Sequence, residues 1–286
     1  MGPGDLVSGI LERAFPGNLS DGSSYKGIGT PDVDRLAAEF EQPGWMVEQA
    51  ALKNNILPQR YIRNRNTFSR EDQIRLLGST AVVVGLGGLG GTLVEVLARG
   101  GVGTLRLVDG DRFAESNLNR QLFSVQTNIG TSKAESALDR VQQINPSISV
   151  TVEDTFLDGK NAARLIQGAD VVVDCLDSLN ARFTLEAAAQ TQGIPMVSAA
   201  VAGEIGHVTT VYPEDTGLAG VHGDPEKAGD KGVERSLGSP PHGVSVISAL
   251  ESAEVLKVLL DRDGILKNRL LIVELSNYTF EIVQLG

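Results

Sequence analysis

The fold this sequence predicts is a mostly parallel α/β sheet with helices on both faces. It closes in antiparallel strands toward the C-terminus and is preceded by a small N-terminal extension. Three observations predict it. Between Thr80 and Ala200, short β-branched apolar runs alternate with segments of helical spacing. A run of glycines separates the first of those strands from its helix. Beyond Gly206 the pattern turns β-rich around one long helix. Alternation of this kind buries parallel strands between two helical layers.

The elements follow in order. Residues 1–58 are rich in Gly and Pro, with helices expected at Asp5–Ala14, Pro31–Phe40 and Trp45–Asn54, and form an arm or small helical subdomain ahead of a main domain spanning 59–286. Thr80–Val84 is the first strand of that domain and Leu89–Arg99 its helix, followed by a strand at Thr104–Asp109. Lys133–Ile144 is a helix stopped by Asn145-Pro146. Ser149–Val152 (strand), Asn161–Gln167 (helix), Ala169–Cys175 (buried strand), Ala181–Thr191 (helix) and Pro195–Ala200 (strand) continue the alternation. Gly206–Tyr212 is β-rich. Pro213–His242 reads as a long crossover loop, Ser245–Asp261 as an amphipathic helix, and Leu270–Leu275 with Tyr278–Leu285 as a terminal hairpin. So long a loop inside a compact domain is usually functional or disordered.

Charge and cysteine content exclude several classes. The 286 residues carry 25 Lys and Arg against 36 Asp and Glu, a net charge of −11. That balance speaks against a whole-chain electrostatic grip on nucleic acid or anionic membrane. The single cysteine, Cys175, excludes an intrachain disulfide and any zinc site built on paired CxxC motifs, so no zinc is expected. No run of about 18 apolar residues is present, which predicts no membrane span. Met1–Ile10 lacks a charged segment followed by a long apolar run, so a cytoplasmic location is expected.

The residues that carry chemistry begin with Val84-Gly85-Leu86-Gly87-Gly88-Leu89-Gly90-Gly91. Gly85, Gly87 and Gly90 have the GxGxxG spacing of a Rossmann-like nucleotide turn. One glycine permits the tight turn, one lets backbone approach a phosphate, and one lets helix pack on strand. Asp109, 19 residues past Gly90, ends the next strand with Asp111 close behind, where an acid accepts ribose hydroxyls. To this point NAD and ATP are served equally.

The next segment separates them. Ser116-Asn117-Leu118-Asn119-Arg120-Gln121, Lys133, and Arg63 within Arg60-Tyr61-Ile62-Arg63-Asn64 place cations about a nucleotide site. Hydride transfer does not ask for them. Attack on an α-phosphate does, because charge must be neutralised as pyrophosphate leaves. A solvated surface charge is the alternative for any one of these cations, most of all for Arg60. Asp177 follows the buried strand in Val173-Asp174-Cys175-Leu176-Asp177. There it is placed to hold Mg²⁺ beside phosphates or to cap the next helix, and Arg182 follows in that helix.

Taken together, RYIRN at 60–64, GLGGLG at 85–90, VDGD at 108–111, SNLNRQ at 116–121, Lys133 and DCLD at 174–177 resemble the ubiquitin-activating-enzyme-like adenylyltransferases of ThiF, MoeB and HesA type. These include bacterial enzymes that activate sulfur-carrier proteins, and the resemblance covers residues 58–286. It implies that the glycine loop (Gly85, Gly87, Gly88, Gly90) and Asp109 hold ATP, with Asp111, Asn117 and Gln121 at other nucleotide-site positions. Arg120 and Lys133 match cations on the phosphates, and Asp177 a Mg²⁺-associated aspartate. Arg63 matches an arginine that reaches the neighbouring subunit's ATP, which implies a homodimer. The implied reaction is attack of a C-terminal carboxylate, on a small β-grasp carrier protein or a peptide, at the ATP α-phosphate.

Two departures bear on that reaction. Many relatives carry two zinc-binding CxxC pairs, and many carry a cysteine in the loop before the penultimate helix; Gly217–His242 has no cysteine. Cys175 matches a buried strand position, where a thiol is inert. An adenylate is therefore expected to form without a thioester on this chain. In the resemblance the Pro213–His242 loop, with His222, Asp224, Glu226, Lys227, Lys231, Glu234 and Arg235, clamps the substrate tail. Adenylation of a peptide, for which residues 1–58 suit docking, or of a tRNA-borne carboxylate are alternative readings, as is a regulatory nucleotide-binding module.

Overall fold

The computed structural model describes residues 5–19, 21–223 and 237–285. The loop residues Asp224, Glu226, Lys227, Lys231, Glu234 and Arg235 lie outside them.

Residues 5–58 build more than helices. Helix α1 (Leu6–Arg13) is capped by Asp5, and α2 (Thr30–Glu39) and α3 (Gly44–Lys53) follow. Between and after them run strands β1 (Phe15–Asn18), β2 (Ser24–Ile28) and β3 (Ile56–Pro58), which the sequence reading did not anticipate. They form a three-stranded sheet in the order β1-β2-β3. The physical reason they escape notice is local. β1 contains Pro16 and Gly17, poor strand formers, and β3 is three residues long. This unit has its own apolar cluster of Ile10, Ile28, Val33, Leu36, Val47, Ala51 and Ile56.

Helix α4 (Arg70–Leu77), also unanticipated, starts with a full capping box between Ser69 and Asp72. Then comes the main sheet. Its strands are β4 (Thr80–Val84), β5 (Thr104–Val108), β6 (Ser149–Glu153), β7 (Val171–Asp174), β8 (Met196–Ala202), β9 (Ile205–Val211), β10 (Arg269–Glu274) and β11 (Thr279–Gln284). They lie in the order β11-β10-β9-β8-β7-β4-β5-β6. The pairs from β6 through β8 are parallel, and those from β8 through β11 are antiparallel.

Burial on both faces explains the continuous apolar runs. Ala81 and Val83 of β4 enter one core, while Val82 and Val84 enter the other. The first core is covered by α5 (Gly88–Gly100), α6 (Lys133–Ile144) and α10 (Pro241–Leu260). The second is covered by α7 (Ala162–Ile166) and α8 (Leu179–Gln192). Within the long loop the described residues include a short helix, α9 (Ala219–His222). Helix α10 begins four residues earlier than the apolar spacing indicated, with Pro241 in its first turn. Its buried face carries Ser248, Glu251, Ser252 and Glu254, so hydropathy alone understates it. No helix among the described residues is long and apolar enough to cross a membrane.

The N-terminal unit is fastened to the main sheet by polar contacts. Trp45 Nε1 donates to Ser149 Oγ at 3.1 Å, and Trp45 N donates to Ser147 O at 2.9 Å. Arg60 pairs with buried Glu48 at 2.9 Å and donates to Asn145 Oδ1, so it is a structural cation rather than a solvated surface charge. Tyr61 OH donates to Glu48 Oε2 at 3.0 Å, and Asn145 Nδ2 donates to Tyr61 OH at 3.0 Å.

Candidate active site

Strands β4 and β7 are neighbours, yet β4 leads on to β5 at one side while β7 leads to β8 at the other. A crevice therefore opens beyond their carboxyl ends, where ligands bind in open α/β sheets. The glycine loop is the edge of this crevice. Gly85 has φ +93°, and a Cβ there would sit 2.5 Å from the Cys175 carbonyl oxygen. A Cβ on Gly90 would sit 1.9 Å from the Gly85 carbonyl oxygen. Both positions need glycine for steric reasons. Gly87 stands at the N-cap of α5 with no side-chain hydrogen bond, so the first amides of the helix point free. Free amides and the positive helix end favour an anion there.

A cavity of about 410 Å³ extends from this loop. Gly85, Gly87, Gly88, Asp109, Asp111, Arg120, Gln121, Lys133, Cys175, Asp177 and Arg182 all line it, so most of the residues singled out in the sequence converge. Gly90 supports the loop from behind. Asp109 accepts from Leu86 N at 2.7 Å and from Asp111 N at 2.8 Å. Burial pushes its carboxyl above the ordinary range, and the neighbouring Lys133 ammonium pulls it partly back. Lys133, the first residue of α6, is buried and reaches Asp111 Oδ2 at 3.0 Å. A cation at a helix N-terminus opposes the helix dipole, so this placement serves the cleft rather than the helix.

Arg120 donates to Ser116 O at 3.1 Å and to Asn119 Oδ1 at 3.0 Å, both neutral acceptors. Among the described residues its charge meets no carboxylate. Gln121 is buried beside Gly87, and its Oε1 has no hydrogen-bond partner among the described residues. That orphaned acceptor suits a donor on a bound nucleotide. Asp177 is exposed at the cleft mouth with no ion pair or hydrogen bond among the described residues. Ser178, not Asp177, caps α8, accepting from Ala181 N at 3.5 Å. The capping alternative is thereby removed, and among the described residues the Asp177 carboxylate, a donor type that Mg²⁺ takes, is left without a partner in the cleft.

Two expected site residues lie elsewhere. Asn117 is outside the lining, and its Oδ1 accepts from Ala114 N at 2.9 Å, closing a tight turn. Arg63 is exposed in the turn after Tyr61 and does not line its own chain's cleft.

Three lining residues carry no motif and were not read from the sequence: Phe156, Leu157 and His207; His222 was read only as part of the long loop. Arg182 was noted only in passing, yet it organises the wall. Its Nη1 reaches Asp174 Oδ2 at 2.9 Å, Ser198 Oγ at 3.2 Å and Ala199 O at 2.9 Å, and its Nη2 donates to Leu176 O. It therefore holds the turn that presents Asp177. Cys175 faces the buried Glu251 carboxyl at 3.6 Å. Burial first, then the charges of Glu251 and Asp174, push its thiol well above the ordinary range, the opposite of nucleophile activation.

A doubly wound sheet whose cleft holds Lys133, Arg120 without a carboxylate partner among the described residues, and an exposed Asp177 suits chemistry at phosphates better than hydride transfer. Comparison with known proteins agrees. The ThiF family model matches residues 61–286, and the chain belongs to the ThiF family. It is 36% identical over 216 residues to the SAMP-activating enzyme E1 of Haloferax volcanii, covering 74% of this chain and 79% of that protein. It is 32% identical over 277 residues to the adenylyltransferase and sulfurtransferase MOCS3 of Drosophila sechellia, covering 93% of this chain. The chain spans 59% of that relative's length. E. coli MccB with ATP superposes with a TM-score of 0.69 at 19% identity, over 90% of this chain and 79% of that one. The chain is an E1-like adenylyltransferase.

Proposed function

We propose that the chain adenylates the C-terminal carboxylate of a small ubiquitin-like sulfur-carrier protein in the cytoplasm, using ATP and Mg²⁺. The observation that carries this reading is that one cleft beside the glycine loop holds both Arg120 and Asp177, neither with an oppositely charged partner among the described residues. The names of the two relatives, one SAMP-activating and one a sulfurtransferase as well, support the carrier.

The carboxylate oxygen attacks the α-phosphorus, a C–O–P bond forms, and the bond to the β-phosphate breaks. Pyrophosphate leaves with the electron pair. No base is needed, because a carboxylate is already deprotonated at neutral pH. Catalysis then rests on positioning and charge stabilisation. The α5 amides, Arg120 and Lys133 face the phosphates, Asp109 the ribose, and Gln121 the nucleotide beside Gly87. Asp177 would hold Mg²⁺, which when bound neutralises phosphate charge. The raised Cys175 thiol supports an adenylate that leaves this chain without a thioester.

ATP–pyrophosphate exchange tests the assignment. Arg120→Ala and Asp177→Ala are expected to abolish exchange while the thermal melt stays put; near-wild-type exchange in both would remove the site. Arg63, away from its own cleft, fits a role in the partner's site of a homodimer. Mixing inactive Arg63→Ala and Asp177→Ala chains should then restore up to about one quarter of wild-type activity, since half the dimers are mixed and each holds one whole site.

A second reading, adenylation of a peptide, is favoured by one observation. The N-terminal unit has its own sheet and core, and the superposition on MccB, also solved with AMPCPP and MccA, extends over 90% of this chain. Deleting residues 1–58 separates the readings: loss of substrate binding with ATP binding kept favours the peptide.

A further inference from the structure

The cleft does not end at the phosphate side. Its lining runs on along β8 and β9, where Ala200, Val201 and Ile205 form an apolar lobe. Two histidines stand in this apolar surrounding. His207 lies on β9, opposite Ala200 of β8, and His222 is the last residue of α9. Their rings are 5.5 Å apart and tilted by 54°. The Nε2 atom of each is buried and has no hydrogen-bond partner among the described residues. Two orphaned imidazole nitrogens in one pocket are unusual, because buried polar atoms are normally satisfied. The guanidinium of Arg182 nearby is held against the wall by four acceptors.

We infer that His207 and His222 form an uncharged hydrogen-bonding station that grips the peptide groups just before the reacting carboxylate, and so select a peptide tail as substrate. The inference rests on the adenylation reading. Its chemistry follows from the neutral ring, which offers one N–H donor and one lone pair. A pair of such rings can serve both the C=O and the N–H of a tail backbone. They stay neutral because burial, and then the charge of Arg182, disfavours the imidazolium, for His207 down to about 3. Neutrality matters to the reaction. Uncharged rings hold the tail and leave the terminal oxygens free. A carboxylate lacking flanking amides would leave both rings unpaired, and a site built to hydrogen-bond rejects such a ligand strongly.

The test uses the full-length chain and a synthetic hexapeptide ending in Gly-Gly with a free carboxylate, labelled at its N-terminus. Peptide binding is read by anisotropy with a non-hydrolysable ATP analogue, exchange by kinetics, and ATP affinity by calorimetry. His207→Ala with His222→Ala is expected to weaken peptide binding and raise its KM by at least about tenfold, with kcat and ATP affinity nearly unchanged. The His207→Asn with His222→Asn variant, which keeps a donor and an acceptor at each position, is expected to recover most of the affinity. An unchanged KM in the alanine variant overturns the station and leaves adenylation standing. A parallel loss of ATP affinity also overturns it, since the pair then shapes the nucleotide site. Peptide binding that depends on the histidines without any exchange keeps the station and overturns adenylation. A wild-type chain that neither binds nor activates the peptide counts against both.

Discussion

Lys133 shows how a single residue trades local stability for function. It opens α6 with the wrong charge for a helix N-terminus, is almost wholly buried, and finds its one carboxylate partner in Asp111. Its ammonium also bears on Asp109. Preorganised charge of this kind acts on the developing negative charge of the transition state. Removing it in Lys133→Met should cost about 10²–10³-fold in exchange kcat/KM. Steady-state exchange kinetics check this, and a rate near wild type would place the lysine outside the machinery. Arg182 differs. Its four acceptors are all wall atoms, so it positions Asp177 and its neighbours rather than touching phosphate.

Among the elements, the junction of β4 and α5 is the most constrained. A methyl group at Gly90 meets the Gly85 carbonyl at 1.9 Å, and backbone there cannot yield without moving the phosphate loop. Gly90→Ala is expected to lose ATP binding by calorimetry and about 1–3 kcal/mol of stability by denaturant titration. The capping box of α4 offers a control on a different element. Ser69→Ala removes the hydrogen bond to Asp72 N and should cost about 1 kcal/mol with ATP binding intact. The same capping box, Ser69 to Asp72, was the one sequence signal that could have announced α4.

At the scale of the whole molecule, the N-terminal unit is held to the sheet through Glu48, Arg60, Tyr61 and Asn145. Burial lifts the Glu48 carboxyl from 4.5 to about 7, against the pull of Arg60. The folded state therefore binds this proton more tightly than the unfolded chain does. Its stabilisation is full below the unfolded value of 4.5 and is lost as pH rises through about 7. Buried Glu251, also shifted upward, contributes in the same sense. Glu48→Gln should flatten, without abolishing, the fall in unfolding free energy between about pH 5 and about pH 8. Denaturant titrations across that window check it, and an unchanged slope in the variant would assign the loss elsewhere.

The sequence by itself determined the parallel half of the sheet, because Thr80–Val84 and Val171–Asp174 are apolar runs written to be buried on both faces. It also marked most of the candidate site, since the glycine spacing, Asp109, Arg120, Lys133 and Asp177 are local signals on single turns, and the fold brings them to one cleft. Only the tertiary structure decided the rest. Strand order brought Asp177 beside the glycine loop from nearly a hundred residues away. Docking on Asn145 made Arg60 a structural cation. The burial of His207 and His222 in one lobe is set by β9 and α9 coming together, which no spacing announces. Local periodicity records which face of an element is buried. What lies across from that face is set by packing between distant segments, and half of this cleft is made there.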